Sequence, residues 1–265
     1  MTQGPFWVAS LLLVLSSCMP SAMPAPTATP VLTQIEQTDA PTLQILSIGN
    51  SHMYTNNLPM IFTRLASAGG HRVEADMAAK TGYLLEEHVA DPDTLKKING
   101  GKWDIVILQE NSNIPQVPSK RDAQMYPAAR ALSRRISSLG AQTIFFMTWA
   151  DPWAVADGRF DDFVDEQARI TAAYWNVAQE LDALVAPVGV AFEESLRQRR
   201  DLFLWKDTDY LHASHRGTYL AACVLYALIY RQSPEGLPYR SGLTEDTAQH
   251  LQSIAAQTVL TNSAD

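Results

Sequence analysis

The chain has 265 residues, 46% of them hydrophobic, and a formal net charge of -8 from 20 basic and 28 acidic side chains. That composition suits a medium-sized domain with a full core. With no basic block or stripe, it argues against nucleic acid and anionic membrane surfaces as partners.

Phe6–Leu15 is an apolar run. It falls short of the roughly 20 residues that span a bilayer and reads as the hydrophobic part of a signal peptide. Leu15-Ser16-Ser17-Cys18 follows directly and resembles a bacterial lipobox, in which the cysteine is lipidated and becomes the mature N-terminus. We therefore expect a signal peptide over residues 1–18 with Cys18 as the lipidation site, even though no Lys or Arg precedes Arg64. Ordinary secretion with cleavage near Ala22 or Ala25 is the alternative. Residues 19–41, rich in Pro, Ala, Thr and Ser, are expected to form a disordered tether. Residues 42–262 are expected to fold. The expected location is extracytoplasmic, with membrane contact only through the anchor.

Within the domain, strands alternate with helices. Leu43–Ile48 reads as the first strand. His71–Met77 alternates apolar and charged residues, which suits an edge strand. Asp104–Leu108 is a continuous apolar run, so it should be central and covered on both faces. Thr143–Met147 and a short Ala183–Pro187 supply strands four and five. Helical patterns cover Leu58–Ala68, Tyr83–Asn99 with a break near Asp91-Pro92, Tyr126–Leu139 and Phe160–Leu181. Gly217–Tyr230, with Ser214 as its N-cap, and Thr244–Leu260 close the chain. Cys223 lies in the first of these two as a small buried hydrophobe, so no disulfide framework is available. Such alternation predicts a three-layer α/β/α sandwich around a five-stranded parallel sheet of flavodoxin-like order 2-1-3-4-5.

Four segments then fall at one end of the sheet, where open α/β sheets bind ligands. Ser51 follows strand one in Gly49-Asn50-Ser51-His52. Gly82 lies in the loop after strand two, and Gln109-Glu110-Asn111-Ser112 follows strand three. Asp209 and His212 sit just before the helix Gly217–Tyr230. A serine nucleophile needs a base, a group that orients the base, and donors for the oxyanion. Ser51, His212 and Asp209 supply the first three roles. The N–H groups of Ser51 and Gly82 and the side-chain amide of Asn111 supply the donors. Taken singly, a serine after a strand is a turn or cap residue, and an isolated Asp-x-x-His says little. The order of the four segments carries the reading.

This set resembles the SGNH (GDSL-like) hydrolase family. The first block reads GNS in place of GDS, and the second is the isolated Gly82. The third, G-x-N-D in the family, reads QENS, which keeps Asn111 and makes Gln109 a rival source of the oxyanion amide. The fourth is Asp209-Tyr210-Leu211-His212. The fragment GTYLAACVLYAL resembles the helix that follows in a bacterial subgroup with LQE-type third blocks. The resemblance spans about Leu43–Tyr230. It implies a flavodoxin-like fold, hydrolysis of carboxylic esters through a Ser51-His212-Asp209 triad, an oxyanion hole of Ser51, Gly82 and Asn111, and no cofactor. By analogy the substrate is a small-molecule or glycan ester with a short acyl group.

Other readings are weighed against it. His215 is a rival base but more in keeping with a capping or surface role, His52 reads as pocket wall or core, and Asp207 is a lesser alternative to Asp209. Lys80, Tyr83 and Glu110 are expected to line the mouth, and Trp149 and Asp151 to shape the substrate site. A metal hydrolase using His52, His212, His215 and Asp209 lacks H-E-x-x-H or any compact ligand spacing, so no metal is expected. An α/β-hydrolase lacks its G-x-S-x-G elbow. A non-catalytic glycan-binding lipoprotein on the same scaffold is the remaining alternative, and intact Ser51, Asp209 and His212 speak against it.

Overall fold

The computed structural model describes residues 41–261. The signal peptide, the Cys18 lipidation site and nearly all of the expected tether lie outside the described residues. Five parallel strands form one sheet in the order β2-β1-β3-β4-β5. They are β1 (Leu43–Gly49), β2 (Val73–Ala79), β3 (Ile105–Leu108), β4 (Gln142–Phe146) and β5 (Leu184–Ala186). All four β3 residues are buried, as a strand covered on both faces requires. β2 alternates half-buried with exposed residues at the sheet edge.

The helices are α1 (Ser51–Tyr54), α2 (Leu58–Ala68), α3 (Leu85–Ala90), α4 (Pro92–Gly100), the single turn α5 (Pro118–Lys120) and α6 (Tyr126–Ser138). They continue with α7 (Pro152–Ala156), α8 (Phe160–Leu181), α9 (Val188–Gln198), α10 (His215–Tyr230) and α11 (Glu245–Leu260). α2, α9 and α11 pack with α10, whereas α6 packs with α3 and α8. The result is a three-layer α/β/α sandwich. α10 is buried on nearly every face from Gly217 to Leu228, which makes it a core helix. Each fully buried Leu or Val on it stabilises the fold by about 1.5–3 kcal/mol.

Local chemistry sets the helix ends near the site. Asp91 caps α4 by accepting from Thr94 N, and Pro92 has no N–H to leave unpaired, so the helical run breaks there. Ser214 Oγ accepts from Gly217 N at the start of α10. Four elements depart from the sequence reading, the short α5 and α7 among them. The expected turn between β1 and α2 contains the helical turn α1, and Val188–Gln198 is a helix where none was read. Strand and helix ends elsewhere move by one or two residues, as at β2, which starts at Val73 instead of His71.

Candidate active site

β1 and β3 are neighbours at the point where the strand order reverses, and Ser51 and Asn111 follow their carboxyl ends. Ser51 opens α1. Asn50 caps that turn: its Oδ1 accepts from His52 N at 3.1 Å, and its Nδ2 donates to the Tyr83 carbonyl at 3.0 Å. The nucleophile turn and the Gly82 loop are thereby joined. Tyr54 Oη and Thr81 Oγ1, 2.8 Å apart, join them again.

Ser51 Oγ lies 2.8 Å from His212 Nε2, although the two residues are 161 positions apart. His212 Nδ1 lies 2.9 Å from Asp209 Oδ2. Because the carboxylate accepts, Nδ1 carries the proton and Nε2 presents its lone pair to the serine hydroxyl. Asp209 Oδ1 accepts from the backbone N–H groups of Leu211 and His212, each at 2.9 Å. Burial alone would raise the Asp209 carboxyl, but these two amides and the imidazole outweigh it and hold the group below its ordinary range. Asp207 makes no such contact and is exposed.

The two loops are held in register by other side chains. Trp149 Nε1–H, buried, donates to the Leu211 carbonyl at 3.2 Å. Asn56, in the left-handed region at φ +56°, donates from Nδ2 to the Ala213 carbonyl and to Thr218 Oγ1, each at 2.9 Å. It ties the segment behind Ser51 to the residue after His212.

Gly82 has φ +71° at the third position of the Lys80–Tyr83 turn, closed by Tyr83 N–H to the Lys80 carbonyl at 3.2 Å. A Cβ there would meet nothing, so the backbone conformation alone calls for glycine. Neither Ser51 N–H nor Gly82 N–H donates to an acceptor among the described residues. Asn111 Oδ1 accepts from Asn113 N at 3.1 Å, which leaves its Nδ2 with no acceptor among the described residues. Gln109 is engaged throughout: Oε1 accepts from Asn50 N at 2.8 Å and Nε2 donates to the Glu110 carbonyl at 2.6 Å. It is fully buried against Gly49, where an added Cβ would sit 2.4 Å from Gln109 Oε1. Of the two amide nitrogens, only Asn111 Nδ2 has no acceptor at all among the described residues.

One expectation is corrected, and the other candidates are placed as follows. Glu110 does not line the mouth; it is fully buried and accepts from Asn111 N and Leu85 N. Lys80 is committed to Asp91 at 2.5 Å and Asp93 at 3.2 Å. Asp151 caps α7 through Trp153 N. His215 bonds Ser241, to its carbonyl and, at 2.9 Å, to its hydroxyl. His52 packs edge-on to both His212 and Trp149, at 5.4 and 4.9 Å between ring centroids. Burial and the neighbouring His212 push it down to about 3, so it is a neutral wall beneath the imidazole. Its Nε2 meets Ser112 Oγ at 3.1 Å. His52, His212, His215 and Asp209 do not gather into a metal-holding group among the described residues.

One positioning group went unread in the sequence. His88 Nε2–H donates to the Gly49 carbonyl at 2.9 Å, and Nδ1 meets Thr94 Oγ1 at 2.7 Å. Thr94 Oγ1 lies 2.7 Å from Asp91 Oδ2, which extends the chain to Lys80. A histidine on the buried face of a short helix is the only sequence sign of it. A separate cavity of about 350 Å³, lined by Trp175, Leu184, Val190 and Leu228, contains none of these groups.

No protein-family profile and no curated protein matches the sequence. Solved structures do match. A DUF4886 family protein from Bacteroides uniformis aligns over 83% of this chain and 95% of its own, at 18% identity and a TM-score of 0.68. A candidate SGNH hydrolase from Slackia heliotrinireducens aligns over 70% and 97%, at 26% identity and a TM-score of 0.54. An acetyl xylan esterase, AlAXEase, aligns over 71% and 100%, at 10% identity and a TM-score of 0.59. The sheet order and these likenesses fix the class: the fold is that of the SGNH hydrolases. With 26% identity to the Slackia protein and the four blocks in order, the chain resembles the SGNH-type serine hydrolases.

Proposed function

We propose that the protein hydrolyses carboxylic esters through Ser51, His212 and Asp209. The observation that carries this is the hydrogen-bonded chain Ser51 Oγ–His212 Nε2–His212 Nδ1–Asp209 Oδ2, at 2.8 and 2.9 Å. Nε2 takes the hydroxyl proton as Ser51 Oγ bonds to the ester carbonyl carbon. Charge that develops on the carbonyl oxygen is met by Ser51 N–H, Gly82 N–H and Asn111 Nδ2, donors that have no other acceptor among the described residues. The intermediate collapses, the carbon–alkoxy bond breaks, and the imidazolium returns its proton to the departing alcohol. Water, deprotonated by Nε2, then attacks the acyl-serine; its proton passes back to Ser51 Oγ, and the carboxylic acid leaves. Asp209 holds the tautomer and balances the imidazolium.

The proposed substrate is a short acyl ester of a ring-bearing alcohol such as a sugar. In support, Trp153, 49% exposed, stacks at 4.4 Å on Tyr210, which stands between Asp209 and His212. Such a face offers a large rigid surface to a ring.

The test is turnover of p-nitrophenyl acetate by the purified chain and by Ser51→Ala. The wild type should turn over and be labelled at Ser51 by an alkyl fluorophosphonate. Ser51→Ala should lose on the order of 10⁶ in kcat, which drops it to background. Equal rates in the two proteins, or labelling elsewhere, would remove the serine mechanism.

A further inference from the structure

Glu110 is a fully buried carboxylate at the carboxyl end of β3. Its Oε1 accepts from Asn111 N at 2.6 Å. Both of its oxygens share the Leu85 N–H, each at 3.3 Å. Leu85 opens α3, three residues beyond Gly82, and Asn111 carries the free amide described above. One side chain therefore grips the backbone of the Gly82 loop and of the Asn111 loop.

No Lys, Arg or His pairs with Glu110 among the described residues. The charged groups that face it are Glu86 and Glu87 on α3, both of its own sign, and the Tyr174 phenol on α8 also looks toward it. A buried carboxylate without a cation is costly, and a well-packed apolar residue is often the more stable choice. A perturbed charge at the edge of a reacting centre points instead to a use there.

We propose that Glu110 is a positioning residue: its carboxylate clamps the Leu85 and Asn111 amides and so sets the spacing of the two oxyanion donors, Gly82 N–H and Asn111 Nδ2. The proposal rests on the ester-hydrolysis reading above. Ionised, the group is acceptor-only and suits two N–H donors; protonated, it turns an O–H toward one of them. Burial, opposed by the two amides, pushes Glu110 up to about 7. The clamp therefore loosens as pH falls through that value.

The experiment uses the full chain and Glu110→Gln. With p-nitrophenyl acetate, the wild-type acid limb should carry a component with a midpoint near 7 that is missing from the limb of Glu110→Gln. At about pH 8, kcat of the variant should be down about tenfold with KM within about twofold. In parallel, the amide proton resonances of Leu85 and Asn111 in the wild type should titrate together with a midpoint near 7 and should not titrate in the variant. Amides that do not titrate would overturn the clamp. A variant with wild-type kcat and an unchanged acid limb would overturn the positioning role. If Ser51→Ala matched the wild type, the ester reading would fall while the resonances still tested the clamp. If Glu110→Gln did not fold, the wild-type titration would decide.

Discussion

Asn56 offers the sharpest perturbation of the link between nucleophile and base. Its Nδ2 reaches Ala213, one residue past His212, and Thr218 on α10, across 157 and 162 positions of sequence. Ala213 is 4% exposed, and its carbonyl accepts from no other donor among the described residues. In Asn56→Ala that carbonyl is left buried and unpartnered, a cost of about 1–3 kcal/mol. The backbone adds a further cost. At φ +56° asparagine is tolerated, whereas alanine pays about 1–2 kcal/mol. The sum is about 2–5 kcal/mol. Asn56→Gly relieves the backbone and loses only the bonds, plus about 0.5–1 kcal/mol of chain entropy.

Urea unfolding of both variants measures these terms, and the alanine variant should be the less stable. The link claim needs kcat as well. If the bond holds His212 over Ser51, both variants should lose kcat by a similar factor, up to about 10² for a displacement near 1 Å. Their stabilities should nevertheless differ. A glycine variant that is destabilised yet keeps wild-type kcat would show that Asn56 braces the fold and not the pair. Unchanged stability and kcat in the alanine variant would refute the whole account.

Two further outcomes are expected. Asn111→Ala should lower kcat by about 10²–10³, or about 2.7–4 kcal/mol, with little change in melting temperature, since the one bond lost, from Asn113 N to Oδ1, is exposed to water; an unchanged rate would hand the oxyanion to the two backbone amides alone. Trp153→Ala should raise KM for an acetylated xylo-oligosaccharide by about fivefold and leave KM for p-nitrophenyl acetate alone, a stacking contribution near 1 kcal/mol; a shift in both would mean a packing role.

The sheet was legible because apolar runs and alternation are local signals. DIVIL told of a strand covered on both faces, and the charges of Arg72, Glu74 and Asp76 told of an edge. Helix ends followed from Ser214, Thr244 and Asp91-Pro92. α1 escaped because four residues show no period, and α9 because Pro187-Val188-Gly189-Val190 has a composition unlike a helix start. Ser51, Gly82, Asn111, Asp209 and His212 stood out as blocks in order. The positioning roles of Asn56, His88, Gln109 and Glu110 did not, because each depends on a hydrogen bond to backbone 25 to 157 positions away. No periodicity encodes such a bond.

The departures from the family pattern gain a reason from the same bonds. Position 50 carries asparagine where the family has aspartate, and asparagine alone can both accept from His52 N and donate to the Tyr83 carbonyl. Position 109 carries glutamine in place of glycine, and its Oε1 takes up the Asn50 N–H. Position 112 carries serine in place of aspartate, and its hydroxyl meets the Nε2 of His52, which stands where the GDSL pattern has leucine. A neutral histidine buried beneath His212 tolerates a hydroxyl partner, whereas a buried aspartate beside it would either stay protonated or draw a proton onto the ring. The histidine at position 52 in the first block is thus met by the serine at position 112 in the third. His52→Leu by itself should therefore leave the buried Ser112 hydroxyl without that partner and lower stability in urea unfolding by about 1–3 kcal/mol, and an unchanged stability would show that the pair contributes nothing.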